Sequence, residues 1–123
     1  MESKKILLVE DSRIIQLLIQ TVLCDYGYEL KFVSNGQEAL AELNKQKPDL
    51  LILDIMMPVM DGYETIRRIR KMEEFTKLPI IAVTAKAMKK DYDDCIAAGA
   101  SDYLPKPVDI HRLLSVMRVW LYR

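Results

Sequence analysis

Five side chains able to handle a metal or a phosphoryl group stand at the ends of four short apolar runs. Ile6-Leu7-Leu8-Val9 ends at Glu10-Asp11, Leu50-Leu51-Ile52-Leu53 at Asp54, and Ile80-Ile81-Ala82-Val83 at Thr84; Tyr103-Leu104 leads into Pro105-Lys106-Pro107. If the runs are neighbouring parallel strands, these groups share one pocket. Two carboxylates about 4 Å apart repel by roughly 4 kcal/mol at an effective dielectric of ~20. Gathered acids therefore shift their pKa values or hold a cation. A hard divalent ion with oxygen ligands, Mg²⁺ above all, suits carboxylates that supply only part of an octahedron. The matching chemistry is phosphoryl transfer. A carboxylate can attack phosphorus and form an acyl phosphate, and the charge on the equatorial oxygens calls for a metal, an ammonium and a hydroxyl around it. On this reading Asp54 is the nucleophile, Asp11 holds Mg²⁺ with Glu10 helping directly or through water, and Lys106 and Thr84 contact phosphoryl oxygens. Singly, each residue has a plainer role as a strand-ending acid, a helix cap or a turn residue. Jointly they would be four coincidences at one end of four strands.

The elements that must carry these residues alternate between short apolar runs and helical periodicity, the pattern of βαβ units and a parallel sheet. Strands are expected at Ile6–Val9, Glu29–Val33, Leu50–Leu53, from Pro79 to Val83, and at Tyr103-Leu104. The third is the most apolar and therefore central; the second is more polar and nearer an edge. Asp11 or Ser12 caps a first helix whose Ile14/Ile15, Leu18/Ile19 and Val22/Leu23 form one buried stripe, stopped by Gly27. Gly36–Lys45, Tyr63–Met72 and Lys86–Ala98 are the next helices, the last ended by Gly99. Asp109 caps a fifth, with Ile110, Leu113, Leu114, Met117 and Leu121 on one face. Residues 56–62 form a loop because of Pro58 and Gly62. The result is a doubly wound three-layer sandwich, in which ligands bind beyond the carboxyl ends of the strands.

The whole chain is consistent with one domain. It has 123 residues, half of them hydrophobic, 29% charged, with zero formal net charge. The balance gives no electrostatic support for direct nucleic-acid binding; Arg67-Arg68-Ile69-Arg70-Lys71 reads as a solvated helix face. No apolar run reaches the ~20 residues of a membrane span, and no signal peptide is present, so a cytoplasmic location without membrane insertion is expected. Cys24 and Cys95 lack metal-type spacing and read as reduced, partly buried thiols.

Over nearly its whole length the chain resembles the receiver domains of two-component response regulators, and in its size the single-domain, chemotaxis-regulator-like ones. The resemblance rests on Val9-Glu10-Asp11-Ser12, residues 53–62 from Leu53-Asp54 to Asp61-Gly62, Val83-Thr84-Ala85, Gly99-Ala100-Ser101-Asp102-Tyr103 and Lys106-Pro107. It implies a flavodoxin-like five-stranded parallel sheet in the order 2-1-3-4-5, flanked by five helices. It implies phosphorylation of Asp54 from a phosphohistidine on a sensor histidine kinase or histidine phosphotransfer protein. It implies Mg²⁺ bound by Asp11, Asp54 and the Met56 backbone carbonyl, with Glu10 assisting, and a cis Lys106–Pro107 bond. Such a protein is no conventional turnover enzyme; it catalyses its own phosphorylation and slow dephosphorylation.

In that family Thr84 and Tyr103 look like a switch pair. The hydroxyl moves toward the phosphoryl group and the aromatic ring turns into the vacated space, reshaping helix 4, strand 5 and helix 5 to control binding of a downstream effector. Met56 and Lys86, two residues past Asp54 and Thr84, form a rim; Met56 cannot orient a hydrolytic water, which favours a moderate to long phosphoryl lifetime. Met56, Met57 and Met60 form an adaptable docking rim or simply pack the loop. Val116, Val119 and Trp120 form a partner or weak-dimer face or are scattered surface apolars; a monomer or weak dimer is expected. With no output module following the last helix, residues 1–123 form one receiver domain, either stand-alone, as Met1 and the ends suggest, or excised from a hybrid histidine kinase. A haloacid-dehalogenase-type phosphatase would need a second acid at Met56 and a cap domain. A flavodoxin-like carrier would not place Glu10-Asp11 against a flavin phosphate.

Overall fold

All five residues of the third strand, Leu50–Asp54, are buried, as a central strand covered on both faces must be. It is β3 in a computed structural model that describes residues 3–56, 59–85 and 88–122. The other strands are β1 (Lys5–Val9), β2 (Glu29–Val33), β4 (Ile80–Thr84) and β5 (Asp102–Pro105); the helices are α1 (Arg13–Asp25), α2 (Gly36–Lys45), α3 (Gly62–Arg70), α4 (Lys89–Ala98) and α5 (Ile110–Leu121). The strands are all parallel, in the order β2-β1-β3-β4-β5.

Alternation along the strands divides the core into two layers. Leu7, Val9, Leu51, Leu53, Ile80 and Ala82 pack toward α2, α3 and α4 through Ala39, Leu43, Ile66, Ile69 and Cys95. Ile6, Leu8, Leu50, Ile52, Ile81 and Val83 pack toward α1 and α5 through Ile19, Leu23, Leu113, Leu114 and Met117. The order reverses at β1, so the crevice between β1 and β3 is the switch point.

Local signals fix the helix ends. Of the two candidate caps for α1 it is Ser12 whose hydroxyl accepts from Ile15 N–H. Asn35, Asp61 and Asp109 cap α2, α3 and α5 in the same way. Gly99 ends α4 at φ 119°, a conformation that suits glycine. Gly62 is required for another reason: a Cβ there would lie 2.5 Å from the Ile55 Cα, so the loop after β3 closes tightly onto the start of α3.

Several expectations need correction. The α1 stripe is half as wide as its periodicity suggested: Ile19 and Leu23 are buried, but Ile14 is 72% and Leu18 61% exposed, and Gln16 is buried instead. A site-forming role for Gln16 explains the swap, since its Nε2 donates to the Glu10 carbonyl. Helix α3 ends at Arg70, not Met72, because the chain turns through a 3₁₀ segment, Glu73–Phe75, to bury Phe75. Arg70 is no solvated face residue. It is half-buried, and its guanidinium donates to Gly99 O (2.8 Å), Phe75 O (2.7 Å) and Ser101 Oγ (3.3 Å). Helix α4 starts at Lys89. Cys24 is exposed and Cys95 fully buried. Of the two alternatives for Met60, rim or loop packing, its burial fits the second.

Candidate functional site

The carboxyl ends of β1, β3, β4 and β5 bring Glu10, Asp11, Asp54, Thr84 and Lys106 to one edge of the sheet. Ladder bonds place Glu10, Asp54, Thr84 and Lys106. Glu10 N–H donates to Val33 O at 3.0 Å, extending β1 by one residue. Ile55 N–H donates to Val83 O at 2.9 Å, which aligns the end of β3 with β4. Lys106 N–H donates to Thr84 O at 2.8 Å, and the Lys106–Pro107 peptide is cis.

The side chains then converge. Lys106 Nζ lies 2.7 Å from Asp54 Oδ2 and 3.9 Å from Glu10 Oε1. Met56 N–H donates to Asp54 Oδ1 at 3.0 Å, so the two oxygens of Asp54 have different partners and the carboxylate orientation is set. Glu10 Oε2 accepts from Ser12 N–H at 3.0 Å. One carboxylate oxygen each from Glu10, Asp11 and Asp54 lies within 4.8 Å of the others. Asp54 and Glu10 are buried, while Asp11 is exposed at the mouth.

Such a set suits a hard divalent cation: oxygen donors, three charges, and one exposed side open to water or phosphate oxygens. The electrostatics agree. Burial pushes the Glu10 carboxyl up to about 7; the Ser12 N–H works against this, the Asp54 charge adds to it, and Lys106 lowers it. Among the described residues one ammonium, that of Lys106, pairs with this cluster, which leaves the three acids short of positive charge. Among the described residues no buried side-chain polar atom lacks a hydrogen-bond partner.

Thr84 is buried at the end of β4, beside Pro105 of β5, and Tyr103 pairs with Ala82 two residues earlier on the same strand. Thr84 and Tyr103 therefore lie on neighbouring strands on the side facing α3 and α4. The Tyr103 ring meets Tyr92 of α4 edge-on, with centroids 5.6 Å apart and planes at 87°. Met56 is exposed at the rim; Lys86 and Met57 lie outside the described residues.

A cleft of about 440 Å³ opens from this cluster between α1 and the segment after β5, lined by Glu10, Asp54 and Lys106 at one end and by Ile15, Leu18 and Val108 among its apolar walls. Sequence reasoning assigned the α1 apolar residues to the core and so did not anticipate the cleft. It also passed over Tyr92, whose helix reads as charged. No described helix is long and apolar enough to cross a membrane.

The family model for the response regulator receiver domain matches residues 6–118. The response regulator MprA of Mycobacterium bovis is 38% identical over 121 residues, covering 98% of this chain and 52% of MprA; the chain spans about half the length of the curated relatives it matches. Among solved structures, the chemotaxis response regulator CheY4 of Vibrio cholerae is similar at TM-score 0.91 and 33% identity, covering 97% of this chain and 99% of that one. The receiver domain of a sensor histidine kinase from Pseudomonas aeruginosa, with a magnesium ion coordinated in its active-site cleft, is similar at TM-score 0.90 and 36% identity, covering 98% and 99%. The receiver domain of Ssk1 from Saccharomyces cerevisiae, solved with the histidine phosphotransfer protein Ypd1, is similar at TM-score 0.90 and 29% identity, covering 97% and 89%.

Proposed function

This chain belongs to the response regulator receiver domain family, and we propose that it acts as a phosphoacceptor switch in which Asp54 takes a phosphoryl group from a phosphohistidine. The observation that carries the proposal is the contact of Lys106 Nζ with Asp54 Oδ2 at 2.7 Å beside three converging carboxylates. In the transfer an Asp54 oxygen forms a bond to phosphorus as the phosphorus–nitrogen bond breaks, and the donor imidazole keeps the bonding pair and takes a proton. Lys106 already touches the nucleophile, so its ammonium stays beside the incoming oxygens and neutralises charge without reorganisation. Glu10, Asp11, Asp54 and the Met56 carbonyl are the residues that would hold Mg²⁺, which when bound offsets the charge of acids and phosphoryl oxygens. Thr84 supplies a hydroxyl to a phosphoryl oxygen.

The donor is a sensor histidine kinase or histidine phosphotransfer protein. Exposed Leu18, which lines the cleft leading to Asp54, and exposed Ile14 one turn earlier on α1 support docking of an apolar donor surface there. The acyl phosphate brings up to two negative charges to one point. That re-weights Thr84 and Tyr103 and reshapes the α4, β5 and α5 surface for a downstream effector, in the cytoplasm. Exposed Met56 offers no group to orient water on the acyl phosphate, which supports a long-lived phosphorylated state; Met56→Asn should shorten it. The direct test is incubation with Mg²⁺ and acetyl phosphate. A mass gain of ~80 Da is expected in the wild type and none in Asp54→Ala; an undiminished gain in the variant would refute the assignment.

A further inference from the structure

One buried place on α1 is taken by an amide where the inner face of a helix calls for an apolar side chain. Gln16 is 6% exposed and shares that face with Ile19 and Leu23. A buried amide costs free energy unless its donor and its acceptor both find partners. Here both do. Gln16 Nε2 donates to the Glu10 carbonyl, and Gln16 Oε1 accepts from Arg13 Nη1 at 3.4 Å. The Arg13 guanidinium in turn lies 5.9 Å from the centroid of the Phe32 ring on β2, within cation–π range. The two bonds fix which way the amide points. Turned over, it would set carbonyl against carbonyl and NH2 against guanidinium.

We infer that Gln16 is a positioning residue for the acid cluster, acting through the Glu10-Asp11 peptide. The carbonyl that Gln16 holds and the Asp11 Cα belong to one planar unit. Fixing Glu10 O therefore fixes the plane from which Asp11 projects. The rest of Glu10 is held separately: its N–H donates to Val33 O at 3.0 Å, and its Oε2 accepts from Ser12 N–H at 3.0 Å. Asp11 itself is exposed, so burial does little to place it. The approach of the three carboxylates, with one oxygen of each within 4.8 Å of the others, thus depends on a side chain six positions past Glu10 that need not touch the metal. An apolar residue at this place would satisfy the helix face and withdraw that donor from the Glu10 carbonyl.

The inference rests on the reading of Glu10 and Asp11 as metal-holding residues. Partners that orient a ligand from behind change metal affinity by roughly 10- to 100-fold. Gln16 acts through the backbone rather than on a ligating atom, so an effect of about 10-fold, the lower end, is expected.

Calorimetric titration of the full chain with MgCl2 tests this, with urea curves establishing that each variant is folded. Gln16→Met and Gln16→Asn are both neutral, so the charge of the cluster is unchanged. The first has no amide, and the second is one methylene too short to span from α1 to the Glu10 carbonyl. Each should raise the Mg²⁺ Kd by about 10-fold. Leu23→Val, about two turns further along the same buried face, should lower stability and leave the Kd unchanged. With acetyl phosphate, the Mg²⁺ concentration for half-maximal phosphorylation of Gln16→Met should rise by the same factor, while the rate at saturating Mg²⁺ stays near that of the wild type. An unchanged Kd in the folded Gln16 variants, or an equal rise in Leu23→Val, would overturn the inference while leaving Asp54 as the acceptor. A Kd that shifts as expected in a protein that gains no phosphoryl group would count against the proposed function instead. A wild type that binds no Mg²⁺ would overturn both.

Discussion

Replacing Lys106 with methionine keeps most of the side-chain volume and removes the ammonium that touches Asp54. At 2.7 Å and 3.9 Å the attractions to Asp54 and Glu10 are ~6 and ~4 kcal/mol at an effective dielectric of ~20. Much of this is offset by the cost of taking the charges out of water. The carboxylates are 3% and 5% exposed but the lysine side chain is 26% exposed, so the pair lies between a surface bridge of ~1 kcal/mol and a broken buried pair of ~3–5 kcal/mol. A loss of about 2–3 kcal/mol is expected at neutral pH without divalent cation. Because the ammonium draws on Asp54 and Glu10, two of the three acids a metal would use, the variant should bind Mg²⁺ more tightly than the wild type. Saturating Mg²⁺ should then recover a good part of the lost stability, while phosphorylation by acetyl phosphate falls. Urea unfolding in EDTA and in excess Mg²⁺ measures both effects. A stability loss that is the same in the two buffers, or weaker Mg²⁺ binding by the variant, would show that Lys106 and the metal do not share the acid cluster.

Val59 has φ 74°, a conformation costly for a β-branched residue and tolerated by asparagine. Val59→Asn should therefore raise the urea midpoint by the equivalent of ~0.5–1 kcal/mol without changing the slope; an unchanged midpoint would contradict the strain. Arg70→Met removes three guanidinium hydrogen bonds and should cost ~2–4 kcal/mol; Arg70→Lys cannot reproduce the fork and should stay closer to methionine than to wild type, which denaturant titration of the three proteins checks. The Glu10 carboxyl is raised from 4.5 to about 7, chiefly by burial, so the fold favours its protonated form. Its contribution is fully present below pH 4.5 and is lost as pH rises through about 7. In EDTA, stability should fall across that window in the wild type and stay flatter in Glu10→Gln, and the gain from added Mg²⁺ should grow over the same range; parallel curves for the two proteins would exclude Glu10 as the source.

The strands and the site were legible in the sequence for one reason. Runs buried on both faces, such as Leu50–Leu53, are continuously apolar, and a carboxylate or hydroxyl that breaks such a run marks where the strand leaves the core. The residues that were misread have the opposite character, because their roles depend on what lies across from them in space. Ile14 and Leu18 keep helical register with Ile19 and Leu23, yet both are exposed, Leu18 on the wall of the cleft between α1 and the segment after β5. Arg70 sits in a basic run that looks solvated, but Gly99, Phe75 and Ser101 present three acceptors to it from distant parts of the chain. Tyr92 is flanked by charges, and its packing against Tyr103 becomes visible only once β5 lies beside α4. Periodicity reports that a residue prefers not to meet water; it does not say whether the cover comes from the same chain. One misreading, on α1, and one residue passed over, Tyr92 on α4, fall on surfaces proposed to meet another protein. That is the expected outcome when local pattern and folded position disagree at functional places.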